Sequence, residues 1–548
     1  MQVWVQNYNP LGVTWLSTLM AALPVTVLFY LLAIRKMAAH RAAVWAFVCG
    51  TVLALFGFHM PATMVAASVG YGFVYACIRI SWTLVAAVFV YDLTVESGHF
   101  ETIKASIGGV TDDRRLQALL IALAFGAVLE GSGGGGAPLA ICGAMMIGLG
   151  FRPFETAVMC LLANTAPVAF GGMGNPIRTL QAVTGLPEAD LSAMVGRIVP
   201  IAATILPFWL VRTMTGWRNT LRIWPGIVAT GVAFGGIQFF WSNYIDGTLV
   251  DIVGGMFTLV MCALFFRFWK PAPVWRYLED PVVDEAKKPH FTTAQVLHAW
   301  SPFLLLAVFV VMWGLPAVKS LLASTDYKMA VPGLHNLVVR TPPVVEANRV
   351  EPAQMELAWL SPIGTGTFFA GLLAGPILGL SFGRTLRVFG RTVWRLRLSL
   401  LAISAMICLG FETRYCGMDA IMGLALTNTG WFYPLFGTLI GWLGTALTGT
   451  DAGSNALFGS LQVITANKLH LSPVLMASAN TAGGVVGKMI GAQSIVVVCV
   501  ATGLEGREGD VFRAVLKHSI ALALIIGLIV MFYAYVAPGW VPNGHKFW

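Results

Sequence analysis

"LEGSGGGGAPLA" (129–140) sets one carboxylate, Glu130, and five glycines inside an apolar stretch. Glu130 is the only formally charged residue between Leu119 and Gly150. Glycine runs interrupt helices, and an ionised carboxylate is costly in hydrocarbon. A chain that keeps both at one spot needs a reason, and that reason decides how the rest is read.

The surroundings are those of a bilayer. Of 548 residues, 57% are hydrophobic and 11% charged, with a mean hydropathy of +0.77; ordinary globular chains carry about 25% charged residues. Apolar runs such as 14–34, 224–242 and 514–537 approach the length of a membrane crossing, and together they predict roughly 12 to 14 crossings. The expected class is an all-α polytopic membrane protein. Its first span has no basic leader or cleavage site, so it is read as a retained helix. The eight cysteines lie mostly in apolar segments without a CxxC pair. They are expected as small buried hydrophobes, with no disulfide, metal or cofactor.

The net charge of +9 is concentrated in loops. Segments 35–41, 212–222 and 384–397 are rich in arginine and lysine, whereas 324–358 mixes both signs. The positive-inside rule puts the first three in the cytoplasm and the last outside. Basic charge here reports topology, and no nucleic-acid partner is expected. A Pro-rich, mixed-charge stretch at 268–298 reads as a cytosolic linker. It separates an N-terminal half, 1–267, from a C-terminal half, 299–548.

The halves share a pattern. "NTAPVAFGGM" (164–173) and "NTAGGVVGKM" (480–489) agree at five of ten positions. Upstream of each lies a carboxylate beside a break: Glu130 in "LEGSGGGGAP" and Asp451 in "TGTDAGSNAL", 34 and 29 residues before Asn164 and Asn480. Irregular backbone at membrane depth is tolerated only where protein or a wet cavity covers it. Paired interruptions in two halves point to a carrier's binding site near the midplane. There, half-helix N–H groups offer partial positive charge to an anion.

"LEGSGGGGAP", "NTAPVAFGGMGNPI", "GTDAGSNALFGSLQ", "ANTAGGVVGKMIGAQSI" and "VLKHS" resemble the L-lactate permease family across nearly the whole chain. The resemblance implies a bacterial inner-membrane carrier that brings lactate or glycolate in by proton symport. It also implies two inverted repeats with re-entrant hairpins and broken helices. Two departures stand out: Ser132-Gly133 and Gly135 replace the family's usual Ala-Ala and Phe, and Asn175 replaces an apolar residue.

The expected substrate contacts are Asn164, Thr165, Gly134, Gly135, Asn455, Asn480, Thr481 and Lys488. Glu130 and Asp451 are the expected proton-coupling acids. Each has a plainer reading: the acids could bond to break amides, and the Asn-Thr pairs could cap helix ends. Lys488 and Arg414 could either neutralise a buried acid or hold the anion. Arg79 and Arg178 are expected in ion pairs or at an interface, His518 at the headgroup level, and Trp431 and Tyr433 as interfacial anchors.

Other functions fit less well. Gly131, Gly133 and Gly136 satisfy GxGxxG, but without a strand–turn–helix context. Asp92 and Asp451 suggest an intramembrane aspartyl protease, yet "TGTD" lacks the required glycine–aspartate setting. A sodium-coupled carrier of another small carboxylate is the nearer alternative. The reading is therefore a non-enzymatic secondary carrier of a small carboxylate and protons in the lipid bilayer. Its oligomeric state is not legible.

Overall fold

A computed structural model describes residues 3–35, 37–134, 136–271, 273–277, 291–345 and 347–543. Its two faces are identified by what is tied to them. On one face Asp113 pairs with Arg115 at 2.6 Å and accepts the Trp275 backbone N–H at 2.9 Å, while Arg115 donates to the Asn219 carbonyl at 2.7 Å. Glu96 meets Arg384 and Arg391 there, at 2.9 and 2.7 Å. The basic segments 212–222 and 384–397, expected as loops, are instead the helical ends of Glu188–Leu221 and Phe382–Cys416, and they share a face, the cytoplasmic one by the charge rule.

The opposite face carries the 324–358 segment. It is more ordered than a loop: Trp4–Val5 pairs with Val338–Arg340, which pairs with Arg349–Glu351, and Tyr327–Ala330 pairs with Gln354–Leu357. These short strands qualify the all-α expectation; they lie outside the apolar spans, where hydropathy says nothing. Gln6 donates to the carbonyls of Arg414 and Tyr415, both at 2.9 Å. Burial alone would raise the Glu351 carboxyl, but Arg340 and Arg414, each at 3.2 Å, outweigh it and hold the group below its ordinary value.

Eight helices are long and apolar enough to cross a membrane among the described residues, or ten if each bent pair is one span. Shorter apolar helices add to these toward the 12 to 14 expected crossings: Thr14–Phe29 continues without a break to Ile34, and Ile363–Ile377 links the extracellular strands to the start of Phe382–Cys416. Ile363–Ile377 has 15 residues, and other apolar runs turn back midway. The linker expectation also shifts. Residues 278–290 lie outside the described residues, and the helix Thr293–Gly314 starts before 298, on a capping box between Thr292 and Gln295. Helices from the two sides of the linker interlock: Trp82–Glu96 packs on Ile363–Ile377, and Gly171–Thr184 on Asp451–Lys468.

Two hairpins position the centre. Arg114–Gly133 runs inward, and Ala137–Gly148 returns beside it, the Cys142 thiol donating to the Ile121 carbonyl at 3.2 Å. The turn uses Gly134 at φ 56°, ψ −148° and Gly136 at φ 93°, backbone that side chains with a Cβ resist. The first hairpin therefore opens on the cytoplasmic face. In the second, Tyr433–Thr448 reaches a tip at Gly449-Thr450 and Asp451–Lys468 returns. The outer end of that arm packs Ile464 with Val344 and Tyr8, so this hairpin opens on the extracellular face. Opposite entry is what an inverted pair requires.

Each hairpin is followed by a broken helix. Pro153–Asn164 and Val168–Thr184 meet at 57°, and Pro473–Ile490 and Ala492–Thr502 at 42°. Tyr433, expected as an interfacial anchor, is instead fully buried and donates to the Gln462 side chain at 2.7 Å. Trp431 is exposed and stacks on Tyr535.

The second hairpin packs on its broken helix through glycine. A Cβ on Gly441, Gly483 or Gly487 would lie 2.0, 1.9 or 2.1 Å from the backbone oxygen of Asn480, Thr438 or Trp442. Close approach of small residues is how helices associate in lipid. Gly483→Ala is expected to push these helices apart and cost about 1–3 kcal/mol, as overpacking does. A lower unfolding midpoint in detergent would show it; an unchanged midpoint would contradict this packing.

Candidate functional site

The hairpin tips and the broken helices converge on a buried polar cluster. Glu130 lies in the last turn before the first tip. Its Oε1 accepts from Lys488 Nζ at 2.5 Å and its Oε2 from Asn164 Nδ2 at 2.9 Å. The lysine is 358 residues away in sequence and sits at the break of the second broken helix. The carboxylate lies flat on Gly171, where a Cβ would come within 2.7 Å of Oε1. An acid and an amine this deeply buried persist only when paired.

Asp451 opens the returning arm of the second hairpin. Its Oδ1 accepts from Thr445 at 3.4 Å, and its Oδ2 has no hydrogen-bond partner among the described residues. It overlies Gly484, where a Cβ would fall 1.9 Å from Oδ1. Each half thus lays its carboxylate on a glycine that follows the Asn of its broken helix: Asn164 then Gly171, Asn480 then Gly484.

The amides knit the halves together. Asn480 donates to Asn455 Oδ1 at 2.9 Å and accepts from Gln462 at 3.1 Å. Asn455 donates to Thr481 Oγ1 at 2.8 Å and to the Pro176 carbonyl, across the linker in sequence, at 3.0 Å. Thr165 donates to the Leu162 carbonyl at 2.7 Å, the helix-end role. The cavity beside Thr165 is apolar and about 10 Å³, room for one water. The two Asn-Thr pairs therefore lie in a closed centre and are satisfied by their own neighbours. Gly134 lies at the tip beside Glu130; Gly135 lies outside the described residues.

The other cations lie elsewhere. Arg414 pairs with Glu351 at the extracellular face and donates to the Val183 carbonyl at 3.2 Å. Arg178 donates to Thr83 and Thr248 at 3.3 and 3.0 Å and faces Glu188 at 3.5 Å. Arg79 pairs with Glu356. His518 accepts from the Trp209 indole at 3.0 Å, ten residues into its helix rather than at its end. Asp92 is held by Arg395 and Thr392, apart from Asp451.

A third acid lies at this centre, outside the repeated pattern. Asp251, fully buried in the first turn of Val250–Phe268, has both carboxyl oxygens without a hydrogen-bond partner among the described residues. It abuts the first tip: a Cβ on Gly131 would lie 2.9 Å from Asp251 Cβ. Its signal was an isolated acid heading an apolar helix, but no paired counterpart in the other half drew attention to it.

Removing Lys488 strands the Glu130 charge in an apolar setting. Lys488→Ala is expected to destabilise the protein by about 3–5 kcal/mol, the cost of breaking a buried pair from one side. The double substitution with Glu130→Gln should recover much of that loss. Detergent unfolding of the two variants checks this, and equal losses in both would contradict the pairing.

Comparison with known proteins now places the chain. The L-lactate permease family pattern matches residues 17–537. The chain is 41% identical over 556 residues to glycolate permease GlcA of Escherichia coli (strain K12), covering 98% of this chain and 99% of that protein. It is 41% identical over 551 residues to the L-lactate permease of Salmonella typhimurium, covering 99% and 100%. Against the L-lactate permease of Bacillus subtilis (strain 168) the identity is 37% over 566 residues, covering 98% and 100%. With hairpins, broken helices and apolar spans arranged as described, the chain belongs to the L-lactate permease family: a multi-pass membrane transporter and not an enzyme.

Proposed function

We propose that this protein carries a short 2-hydroxy-monocarboxylate, L-lactate or glycolate, into the cytoplasm with protons across a bacterial inner membrane. The observation that supports it most is the Glu130–Lys488 pair, closed between the hairpin tip of one half and the broken helix of the other. Lactate is an anion at neutral pH and needs a cation in a site of low dielectric. Lys488 is the cation at this centre, and Glu130 occupies it. An incoming carboxylate can take Lys488 only if Glu130 gives it up, and Glu130 gives it up by accepting a proton. Proton and anion then enter together, which is symport.

The remaining polar groups have roles in the same scheme. Asn164 loses its ionised partner when Glu130 is protonated and becomes free for the substrate. Asn455, Asn480, Thr481 and Thr165 line the break, and Gly134 allows backbone close to the ligand. Asp451 is the corresponding acid of the second half. The halves 1–267 and 299–548 act as paired repeats about this centre, and the site opens alternately to each face as the breaks separate.

Uptake of labelled lactate into proteoliposomes tests the reading. An inward proton gradient should drive accumulation, an inward sodium gradient should not, and glycolate should compete. Sodium-driven accumulation without response to pH would overturn the proton assignment. Glu130→Gln, which cannot alternate its charge, is expected to lose accumulation against a gradient while residual exchange of labelled for unlabelled lactate persists. Full accumulation in that variant would remove Glu130 from the coupling.

A further inference from the structure

Among the described residues the centre holds three carboxyls, Glu130, Asp251 and Asp451, and one ammonium, Lys488. With all of them ionised, two negative charges would be uncompensated and an anionic substrate would be repelled. Glu130 is matched by Lys488 and Asn164. Asp451 has at least the Thr445 hydroxyl. Among the described residues Asp251 has neither an ion pair nor a hydrogen bond, and burying an unpaired carboxylate is prohibitive.

Its surroundings are well defined. Against it from the first hairpin comes the Gly131 backbone, with Glu130 next in the chain. The helix Gly171–Thr184 brings Arg178, engaged with Thr248 and Glu188. Beyond the helix Trp224–Tyr244, Asp246 accepts from the Trp241 indole and the Thr248 backbone N–H at 3.3 and 2.9 Å. On its own helix Arg267 is near the other end, and from Thr293–Gly314 the titratable group is His298 near the cytoplasmic end. Val250–Phe268 runs beside the first arm, Gly255 against Ala124 and Val128, so Asp251 lies level with Gly131, on the tip side of Glu130 and away from the cytoplasmic mouth of that hairpin.

We infer that Asp251 is the proton relay of the site, uncharged in this closed state, passing its proton to Glu130 as the substrate carboxylate takes Lys488. The O–H bond of the Asp251 carboxyl breaks and a new one forms on Glu130. Asp251 is left as a carboxylate and is re-protonated from the extracellular side. When the substrate leaves on the cytoplasmic side, Glu130 releases the proton there and takes back Lys488, so one proton enters for each passage through the relay and no other reactant is needed. This rests on the proton-symport reading above and adds the group that supplies the proton.

The test is lactate-linked proton entry, followed with a pH-sensitive dye inside proteoliposomes, in the wild type, Asp251→Asn and Asp251→Glu. Asp251→Asn is expected to slow proton-linked uptake by about a hundredfold, within the range for loss of a positioned proton-transfer group. Its residual uptake should no longer vary with pH, and Asp251→Glu should restore the pH dependence. A wild-type rate and pH profile in Asp251→Asn overturns the relay and leaves symport standing. Absence of lactate-linked proton entry in the wild type overturns symport itself, and the relay with it. Should Asp251→Asn fail to insert, the wild type decides: a hydrophobic carbodiimide, which reacts with protonated buried carboxyls, should modify Asp251. Modification confined to Glu130 or Asp451 overturns the proposal.

Discussion

The arrangement depends on one ion pair in a place where neither ion can stand alone. Taking an ammonium and a carboxylate out of water costs several kcal/mol each, and the attraction between them offsets this only at close range with the remaining valences satisfied. Glu130 and Lys488 meet at 2.5 Å, Asn164 fills the second carboxylate oxygen, and Gly171 leaves the space for both. Because the partners belong to different halves, the pair also latches a hairpin of one to the broken helix of the other. On the proposed carrier reading, a group that neutralises either partner loosens that latch, which is how local chemistry at the centre would become movement of helices.

The glycine-rich breaks make such a centre possible. The first tip uses positive φ at Gly134 and Gly136, and the first broken helix uses it at Gly172, Met173 and Gly174. These turns free backbone groups at membrane depth, which protein must then cover. Here the cover is mutual: each hairpin tip lies on its own broken helix, and Asn455 ties the second hairpin to the Pro176 carbonyl of the first broken helix. The glycines opposite Glu130 and Asp451 keep both carboxylates close to the backbone. On the proposed carrier reading, the closed centre, with its small cavity beside Thr165, is one state of a cycle. A substrate can shift that cycle only by binding another state better.

Much of this was legible in the sequence because it is local. An acid beside a glycine run in apolar surroundings, twice, with an Asn-Thr downstream, marks Glu130, Asp451, Asn164 and Asn480 without any structure. The contacts between halves are not local. Nothing in the spacing says that Lys488, rather than Arg414 or Arg178, reaches Glu130; the hairpin geometry decides that. Asp251 was passed over because it has no counterpart in the repeat. Hydropathy cannot tell a hairpin arm from a span, since both are equally apolar; only the glycine turns between the arms separate them. It also missed the extracellular strands, whose pairing joins Trp4–Val5 to residues more than three hundred positions away.

The central claim is that substrate and proton each take one partner of a single ion pair, so that binding one favours the other. Calorimetry of lactate binding to the purified wild-type protein, repeated in buffers of different ionisation enthalpy, measures it most directly through the net protons taken up on binding. The account predicts net proton uptake with lactate in the wild type and its loss in Glu130→Gln. Lactate binding with no proton uptake in the wild type would contradict it.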